Sequence, residues 1–299
     1  LSPNIRERRD ASAALFDPGG RLIAQAAHIP VHLGAMPEAV AAVRARRPRP
    51  GDEFLLNDPY HGGSHLPDLT LVEVVGSGDV ISGFTAVRAH HADVGGMSPG
   101  SMPQGATELV QEGLVIPPVR LVREGVLNEE ILSLLLANVR TPVERRGDLA
   151  AQLAACAAGA AGWRALEARL GTPRLSAACD ALLDYAERRV HARLAELEGR
   201  AGDAVDWLEG DGVTDADVAV RVALTVRDAT LVLDFTGSAP QTAGNVNCPA
   251  AVTRAAAVFV LRTLLDEDVP TNDGIARAVT LVLPERSAVN AAWPAAVAA

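Results

Sequence analysis

The sequence contains no lysine, because all 27 of its basic residues are arginine. This chain alone therefore cannot supply a Schiff-base lysine, a lysine general base or the lysine of a phosphate-binding loop. Its three cysteines, Cys156, Cys179 and Cys248, are odd in number and far apart, which argues against a disulfide framework and a thiolate zinc site. We interpret Cys248 as a packed thiol and expect the protein in the reducing cytoplasm.

Long apolar runs and an excess of positive charge are also missing. The longest apolar windows, 149–166 and 250–265, are interrupted by glutamine or arginine, so neither predicts a membrane-spanning helix. With 37 acidic against 27 basic residues the formal net charge is −10, which disfavours a nucleic-acid partner. The chain starts at Leu1 and stops in an apolar run, so we expect a fragment of a longer protein.

Turn residues and apolar patterns divide the chain into three regions. Short apolar strands separated by turn signals predict a strand-rich region at 1–145, and an alanine-rich stretch predicts a helical region at 146–210. Alternation returns at 211–299, where strand, helix and strand follow one another. The sequence therefore predicts an α+β fold of mainly antiparallel strands with a helical middle, in which the three regions form one integrated unit.

Histidines and carboxylates are concentrated in the first third of the chain. Six of the seven histidines lie before residue 92. Two of the segments that carry them, 57–68 and 90–96, also carry aspartates. Imidazole and carboxylate groups on loops between rigid strands are ligands that divalent metals take in proteins. We therefore expect these two segments to build one metal site.

A predicted hairpin brings two of these histidines together. A turn centred between Ser77 and Gly78 would pair residues whose numbers sum to about 155, which places His65 opposite His90. Asp68 follows His65 by three residues and lies within reach around a bend. We expect the site to hold a divalent metal, Mn or Zn, with coordination positions left open for water or substrate. Its expected ligands are His65, Asp68 and His90.

Other polar residues have both a functional and a structural interpretation. Glu7 and Asp10 share a helical spacing within a basic segment, where they form either a solvated charged turn or part of a functional site. His28 and His32 lie in a predicted loop, and we interpret each as a structural hydrogen-bonding group. The polar loop at 234–247 either faces a substrate or provides ordinary turn chemistry.

Five segments in one order resemble the hydantoinase B family. They lie at 2–10, 28–34, 57–68, 90–96 and 234–238, and the resemblance covers essentially the whole chain. The family includes subunits of N-methylhydantoinases, the corresponding half of 5-oxoprolinase, and related subunits of acetone and acetophenone carboxylases. Its members continue beyond residue 299, in agreement with the fragment expected above.

The resemblance implies a division of labour between two subunits. An actin-like ATPase subunit of the hydantoinase A type binds ATP and phosphorylates the amide or enol oxygen of the substrate. The present chain would hold the metal and open a cyclic amide, such as a hydantoin, 5-oxoproline or another lactam, within a hetero-oligomer. The lack of lysine agrees with this division. The alternatives are a carboxylase subunit and a non-catalytic scaffold that docks on the ATPase.

The resemblance also assigns roles to individual residues. Its metal ligands coincide with those of the predicted hairpin: His65, Asp68 and His90. An acidic residue of the amino-terminal motif, Glu7 or Asp10, would act as a ligand or general base. Asp58 and Asp93 are next in line for the base. His61 is the one local departure from the family pattern, and it is either a bystander or a substrate contact.

Overall fold

The structure is a computed structural model that describes residues 1–266 and 268–298. The first half of the chain contains two helices and seven strands: α1 Pro3–Arg6, β1 Ala11–Phe16, β2 Leu22–Ala27, α2 His32–Arg44, β3 Glu53–Leu56, β4 Asp68–Ser77, β5 Val80–His90, β6 Val119–Arg123 and β7 Val126–Leu127. The second half contains five helices and four strands: α3 Glu129–Ala137, α4 Pro142–Leu170, α5 Thr172–Ala195, β8 Ala201–Leu208, β9 Val218–Arg227, β10 Thr230–Asp234, α6 Ala250–Thr263, α7 Asp273–Ala276 and β11 Val279–Val282. The α+β fold class predicted from the sequence is confirmed.

The strands form two sheets. The first has seven strands in the order β2-β1-β5-β4-β3-β6-β7, and each neighbouring pair is antiparallel. The second has four strands in the order β11-β10-β9-β8, with β10 and β11 parallel. A parallel pair requires a crossover connection, which α6 and α7 provide between these two strands.

Helices cover both faces of the first sheet. Met36 of α2 packs in one core cluster with Phe54, and Cys156 of α4 packs in another with Leu71. The first eight residues of β4 are consequently all buried. A strand with two buried faces needs apolar residues on both, which explains why β4 reads as an apolar run rather than an alternating one.

The pairing of β4 with β5 differs from the hairpin predicted above. The turn falls at Gly78 and Asp79, later than predicted, and a bulge near it inserts one further residue on β5. Gly78 has a φ of 57°, a conformation that glycine adopts without steric cost. As a result Asp68, rather than His65, pairs with His90. The prediction that His65 lies directly opposite His90 is therefore wrong, although the two side chains still meet.

The last part of the chain returns to the first sheet. Val190 of α5, Val258 of α6 and Leu231 of β10 share a core cluster that joins the second sheet to its helices. Beyond β11, Ala295 and Val297 enter the core cluster of the first sheet on its α4 side. This return brings residues 294–298 close to the segments at 57–68 and 90–96. Within the described ranges, no helix is both long and apolar enough to cross a bilayer.

Candidate metal centre

The loop between β3 and β4 is held rigidly by a buried asparagine. The side-chain nitrogen of Asn57 donates to the Leu66 carbonyl at 2.8 Å, and its side-chain oxygen accepts from the Ile116 amide at 2.7 Å. At Gly63, an added Cβ would lie 2.2 Å from the Asn57 carbonyl oxygen, so only glycine fits there. These constraints give the loop one path and give His65 a fixed position.

Three donor atoms from the predicted ligands converge on one point. The Nε2 atom of His65 and the Nδ1 atom of His90 each lie 3.1 Å from Oδ1 of Asp68, and they lie 3.2 Å from each other. Ligand atoms bound to one ion at about 2.0–2.2 Å are separated by roughly 3 Å, so these spacings fit a divalent cation. Two imidazoles and one carboxylate also match the donor preferences of Mn and Zn.

The second oxygen of Asp68 accepts a hydrogen bond from Ser64 and lies close to the buried ring of His32. The Ser64 hydroxyl donates to Oδ2 at 2.5 Å, and Nε2 of His32 lies 3.4 Å from the same atom. The other ring nitrogen of His32 lies 2.8 Å from the Ser12 hydroxyl. Because Oδ2 is engaged in this way, Oδ1 is the carboxylate atom left to face a cation.

Electrostatics favour an ionised carboxylate at this point. Burial opposes ionisation of Asp68, but His65 and hydrogen bonds from His32, His65 and His90 hold its pKa well below the usual range. Burial likewise acts to lower the pKa of His65, and Asp68 outweighs it, so that the pKa of His65 is raised. A cation bound here would displace the proton from the His65 nitrogen that faces it.

A buried arginine that the sequence reasoning missed supports the carboxylate from behind. Arg88 is fully buried, and its guanidinium donates to Thr70 Oγ1 and the Gly62 carbonyl, each at 2.7 Å, and to Ser64 Oγ at 3.5 Å. Burial lowers the pKa of Arg88, while the negative charge of Asp68 acts against that change. The available signal was a charged residue at the end of a predicted strand, two positions before His90.

A cavity of about 200 Å³ opens at the metal ligands. Ser64, His65 and Asp68 form its polar part, whereas other lining residues, such as Met102 and Val252, are apolar. A small cavity with one charged wall and several apolar ones suits a small organic molecule that carries a single polar group.

Cys248, interpreted from the sequence as a packed thiol, also lines this cavity. Its sulfur lies 3.2 Å from the hydroxyl oxygen of Thr253. Burial raises the pKa of the Cys248 thiol, which keeps it protonated and disfavours both metal ligation and nucleophilic attack.

The two amino-terminal acids have different surroundings. The backbone carbonyl of Asp10 accepts a hydrogen bond from the His90 amide at 3.0 Å, so Asp10 is a neighbour of the metal ligands. The Glu7 side chain is 66% exposed and lies 4.0 Å from the Arg6 guanidinium. The structure therefore places the Asp10 backbone beside His90 and leaves the Glu7 side chain facing solvent.

The remaining polar candidates organise loops. Asp58 Oδ2 lies 2.7 Å from Nδ1 of His61, whose side chain is 69% exposed. Burial opposes ionisation of Asp93, but hydrogen bonds from Arg140, Gly95 and Gly100 lower its pKa. These bonds occupy both oxygens of Asp93, which makes it a loop anchor.

Glu112 is a further acidic residue near the cavity that the sequence reasoning did not single out. It is fully buried, and its Oε1 atom accepts from the backbone amides of Val297 and Ala298, both at 2.9 Å. No local sequence signal singled it out, because its partners lie in a distant part of the chain.

The sequence matches a known family over its whole length. The family model described as Hydantoinase B/oxoprolinase covers residues 1–299. The 5-oxoprolinase 1 of Arabidopsis thaliana is 34% identical to this chain, over 99% of this chain and 25% of the plant protein.

Two solved structures share the fold. The ATP-dependent caprolactamase from Pseudomonas jessenii superposes with a TM-score of 0.88 at 30% identity, covering 97% of this chain and 51% of that one. An acetone carboxylase in its nucleotide-free form gives a TM-score of 0.89 at 20% identity, covering 99% and 42%, a likeness that shows the fold alone. The chain thus spans about half the length of the caprolactamase chain and a quarter of the plant relative. Because the family model matches all 299 residues, the chain belongs to the hydantoinase B/oxoprolinase family.

Proposed function

We propose that this chain is the metal-binding catalytic part of an ATP-dependent enzyme that opens a cyclic amide, such as a hydantoin, 5-oxoproline or another lactam. The observation that carries the proposal is the cluster of His65, Asp68 and His90, whose donor atoms lie within 4.8 Å of one another. The cluster borders a cavity of about 200 Å³. Identity of 30% to a caprolactamase supports a lactam as the substrate class.

The chain's own residues divide the chemistry among them. A divalent ion, Mn or Zn, bound at this cluster would supply Lewis acidity toward a substrate oxygen or water. Asp68 contributes the negative charge of the site, and the apolar walls of the cavity exclude bulk water from the reacting group. Asp10, next to His90, takes a proton as general base, with Glu7 as the alternative.

ATP belongs to a separate subunit in this proposal, an actin-like ATPase of the hydantoinase A type. The sequence has no lysine and therefore lacks a Walker-type phosphate loop. We expect the chain alone to release no phosphate from ATP and to form a hetero-oligomer with the ATPase. Phosphate release that rises in proportion to the concentration of the pure chain would contradict this assignment.

Metal analysis tests the site directly. We expect stoichiometric Mn or Zn in the purified chain and its loss in His90→Ala and in Asp68→Ala. His61→Ala is the matched control, because His61 is exposed and outside the cluster. Unchanged stoichiometric metal in both ligand variants would rule the site out.

A turnover assay of the complex with its ATPase tests the reaction. Lactams of several ring sizes are supplied with ATP, each with and without bicarbonate. Ring opening with ATP consumption is the expected result. Consumption that requires bicarbonate and a ketone would identify the carboxylase alternative. A metal-loaded complex with neither activity would support the scaffold alternative.

A further inference from the structure

Residues 295–298, which follow the exposed Pro294, form a buried, irregular segment against the candidate metal centre. Ala296 is 0% exposed and Ala298 1%, and Val297 and Ala298 line the metal cavity. Buried backbone outside helices and sheets must find hydrogen-bond partners elsewhere, because unpaired amide and carbonyl groups are costly. The partners of this segment therefore reveal what holds it in place.

The Ala295 amide donates to the nearby Ala292 carbonyl at 3.1 Å, whereas the other partners come from distant parts of the chain. Three carbonyl groups each accept one hydrogen bond. The Pro294 carbonyl accepts from the Leu109 amide at 2.8 Å. The Ala295 carbonyl accepts from the Tyr60 hydroxyl at 2.6 Å, and the Ala296 carbonyl accepts from the Asn247 side chain at 3.1 Å. The amides of Val297 and Ala298 both donate to Oε1 of Glu112. One carboxylate oxygen thus fixes two successive peptides at the cavity wall.

The same backbone contacts a metal ligand. A hydrogen bond between the His65 ring and the Ala298 backbone raises the pKa of His65, although burial and Asp68 have the larger effects on it. Metal-binding histidines commonly donate their second ring N–H to a carbonyl or carboxylate, which fixes the tautomer and the ring orientation. Glu112 is therefore two hydrogen bonds from the candidate ion, through Ala298 and His65.

Burial of the Glu112 side chain is energetically unfavourable. Its Oε2 atom has no hydrogen-bond partner in the part of the chain that the structure describes. Burial raises the pKa of Glu112 to about 7, while the two amides and His65 act to lower it. The Glu112 backbone also packs closely against Gly96, since a Cβ added at Gly96 would lie 2.5 Å from the Glu112 carbonyl carbon. A buried acid with so few partners costs stability, which points to a role other than packing.

We propose that Glu112 is a positioning residue of the metal centre, which holds the backbone of Val297 and Ala298 so that the His65 ring is oriented toward the ion. This inference rests on the proposed function, because it requires a metal at His65. It adds to that function a residue outside the ligand set, and it differs from a purely structural role in predicting an effect on metal affinity.

The test compares Glu112 variants by metal binding. Affinity for Zn²⁺ is measured by competition with a chelator, and Co²⁺ absorption reports the ligand geometry. Glu112→Asp and Glu112→Ala withdraw the oxygen from the two amides, and we expect each to weaken Zn²⁺ binding about 10–100-fold and to change the Co²⁺ spectrum. Both variants are made because either one, if it folds, is enough to test the proposal. Glu112→Gln keeps an oxygen at the same reach and should bind Zn²⁺ nearly as the wild type does.

Tyr60→Phe is the control for general loosening of the segment. It removes a hydrogen bond to Ala295 but none to the peptides that Glu112 holds, so the melting temperature should fall while Zn²⁺ affinity stays. Wild-type affinity in a folded Glu112→Asp or Glu112→Ala chain would overturn the proposal, as would an equal loss in Tyr60→Phe. A wild-type chain that binds neither ion would instead overturn the metal centre itself, and the positioning role with it.

Discussion

Nε2 of His32 lies 3.4 Å from Oδ2 of Asp68, and both side chains are buried. On the other side of the ring, the Ser12 hydroxyl lies 2.8 Å from Nδ1, and the same hydroxyl accepts the His28 amide at 3.3 Å. The His32 ring is thus held between the Ser12 hydroxyl and the Asp68 carboxylate. His32, interpreted from the sequence as a structural group, thus orients the carboxylate that faces the candidate ion.

Replacement of His32 by leucine should weaken Zn²⁺ binding. Asp68 would lose the buried imidazole that lies beside its second oxygen, and loss of such an outer partner typically costs about 10–100-fold in metal affinity. Chelator competition measures the effect. His28→Asn is the control from the same motif, because His28 bonds only the exposed Arg9 carbonyl through its ring. An equal loss in both variants would show that the motif acts through folding alone.

The amino-terminal acids can be separated by their amide variants. Asp10→Asn should lower turnover of the reconstituted complex by roughly 10²–10⁴-fold, because the amide keeps the shape but cannot accept the proton. Glu7→Gln should leave turnover close to wild type, because an exposed ion pair contributes only about 0–1 kcal/mol. Melting temperature and metal content should remain unchanged in both. Full activity of Asp10→Asn would move the search for the base to Asp58 and Asp93.

A cross-strand pair of acids predicts a pH dependence of stability. Glu53 and Glu73 face each other on β3 and β4, and burial, with a smaller contribution from Glu73, raises the pKa of Glu53 from 4.5 to about 7. Between these values the folded state binds more protons than the unfolded state, so Glu53 makes stability fall as pH rises through that window. Above it the penalty is fully present.

Glu53→Gln should remove this penalty. The melting temperature of the variant relative to wild type should therefore rise from pH 5 to pH 8, measured by thermal unfolding at each pH. Glu124→Gln is the control, because the Glu124 side chain is 64% exposed. A difference between Glu53→Gln and wild type that does not change with pH would mean that Glu53 titrates normally.

Two helical glycines provide a matched test of packing. A Cβ on Gly34 of α2 would lie 2.5 Å from the Ala255 backbone nitrogen of α6, whereas a Cβ on Gly162 of α4 meets no atom within 4 Å. Gly34→Ala should destabilise the chain by about 1–3 kcal/mol, because the two helices must separate. Gly162→Ala should stabilise it by about 0.5–1 kcal/mol through helix propensity. Denaturant titration that gives both variants the same sign would contradict the close crossing.

The candidate metal ligands could be predicted from the sequence because their motifs are short and rich in histidine and aspartate. The strand register that brings them together could not be predicted from the sequence. The bulge that shifts β5 places Ser82 out of register, and the Ser82 carbonyl accepts a hydrogen bond at 3.0 Å from Trp163 of α4. The Trp163 donor lies 81 residues from Ser82 along the chain, so no local sequence pattern indicates the bulge.

Secondary structure was missed where tertiary contacts override local preference. Helix α2 begins at His32 and contains Gly34 and Pro37, both poor helix formers, yet Met36 and Val40 are completely buried against the sheet. The helical region was predicted to begin at 146, whereas helix α4 begins at Pro142. Strand β8 shows no alternation because all but one of its residues are exposed, and it is defined only by its pairing with β9.

The bonds that close the cavity wall also set an order of assembly. Tyr60 and Ala295 are separated by 235 positions along the chain, and Glu112 and Val297 by 185. Contacts of such high sequence separation form late, and during synthesis the amino-terminal elements fold first. The β4–β5 hairpin can therefore pair on the ribosome while residues 294–298 are still untranslated. Tight capture of the ion would then await synthesis of residues 294–298, and metal occupancy would report that this segment has docked.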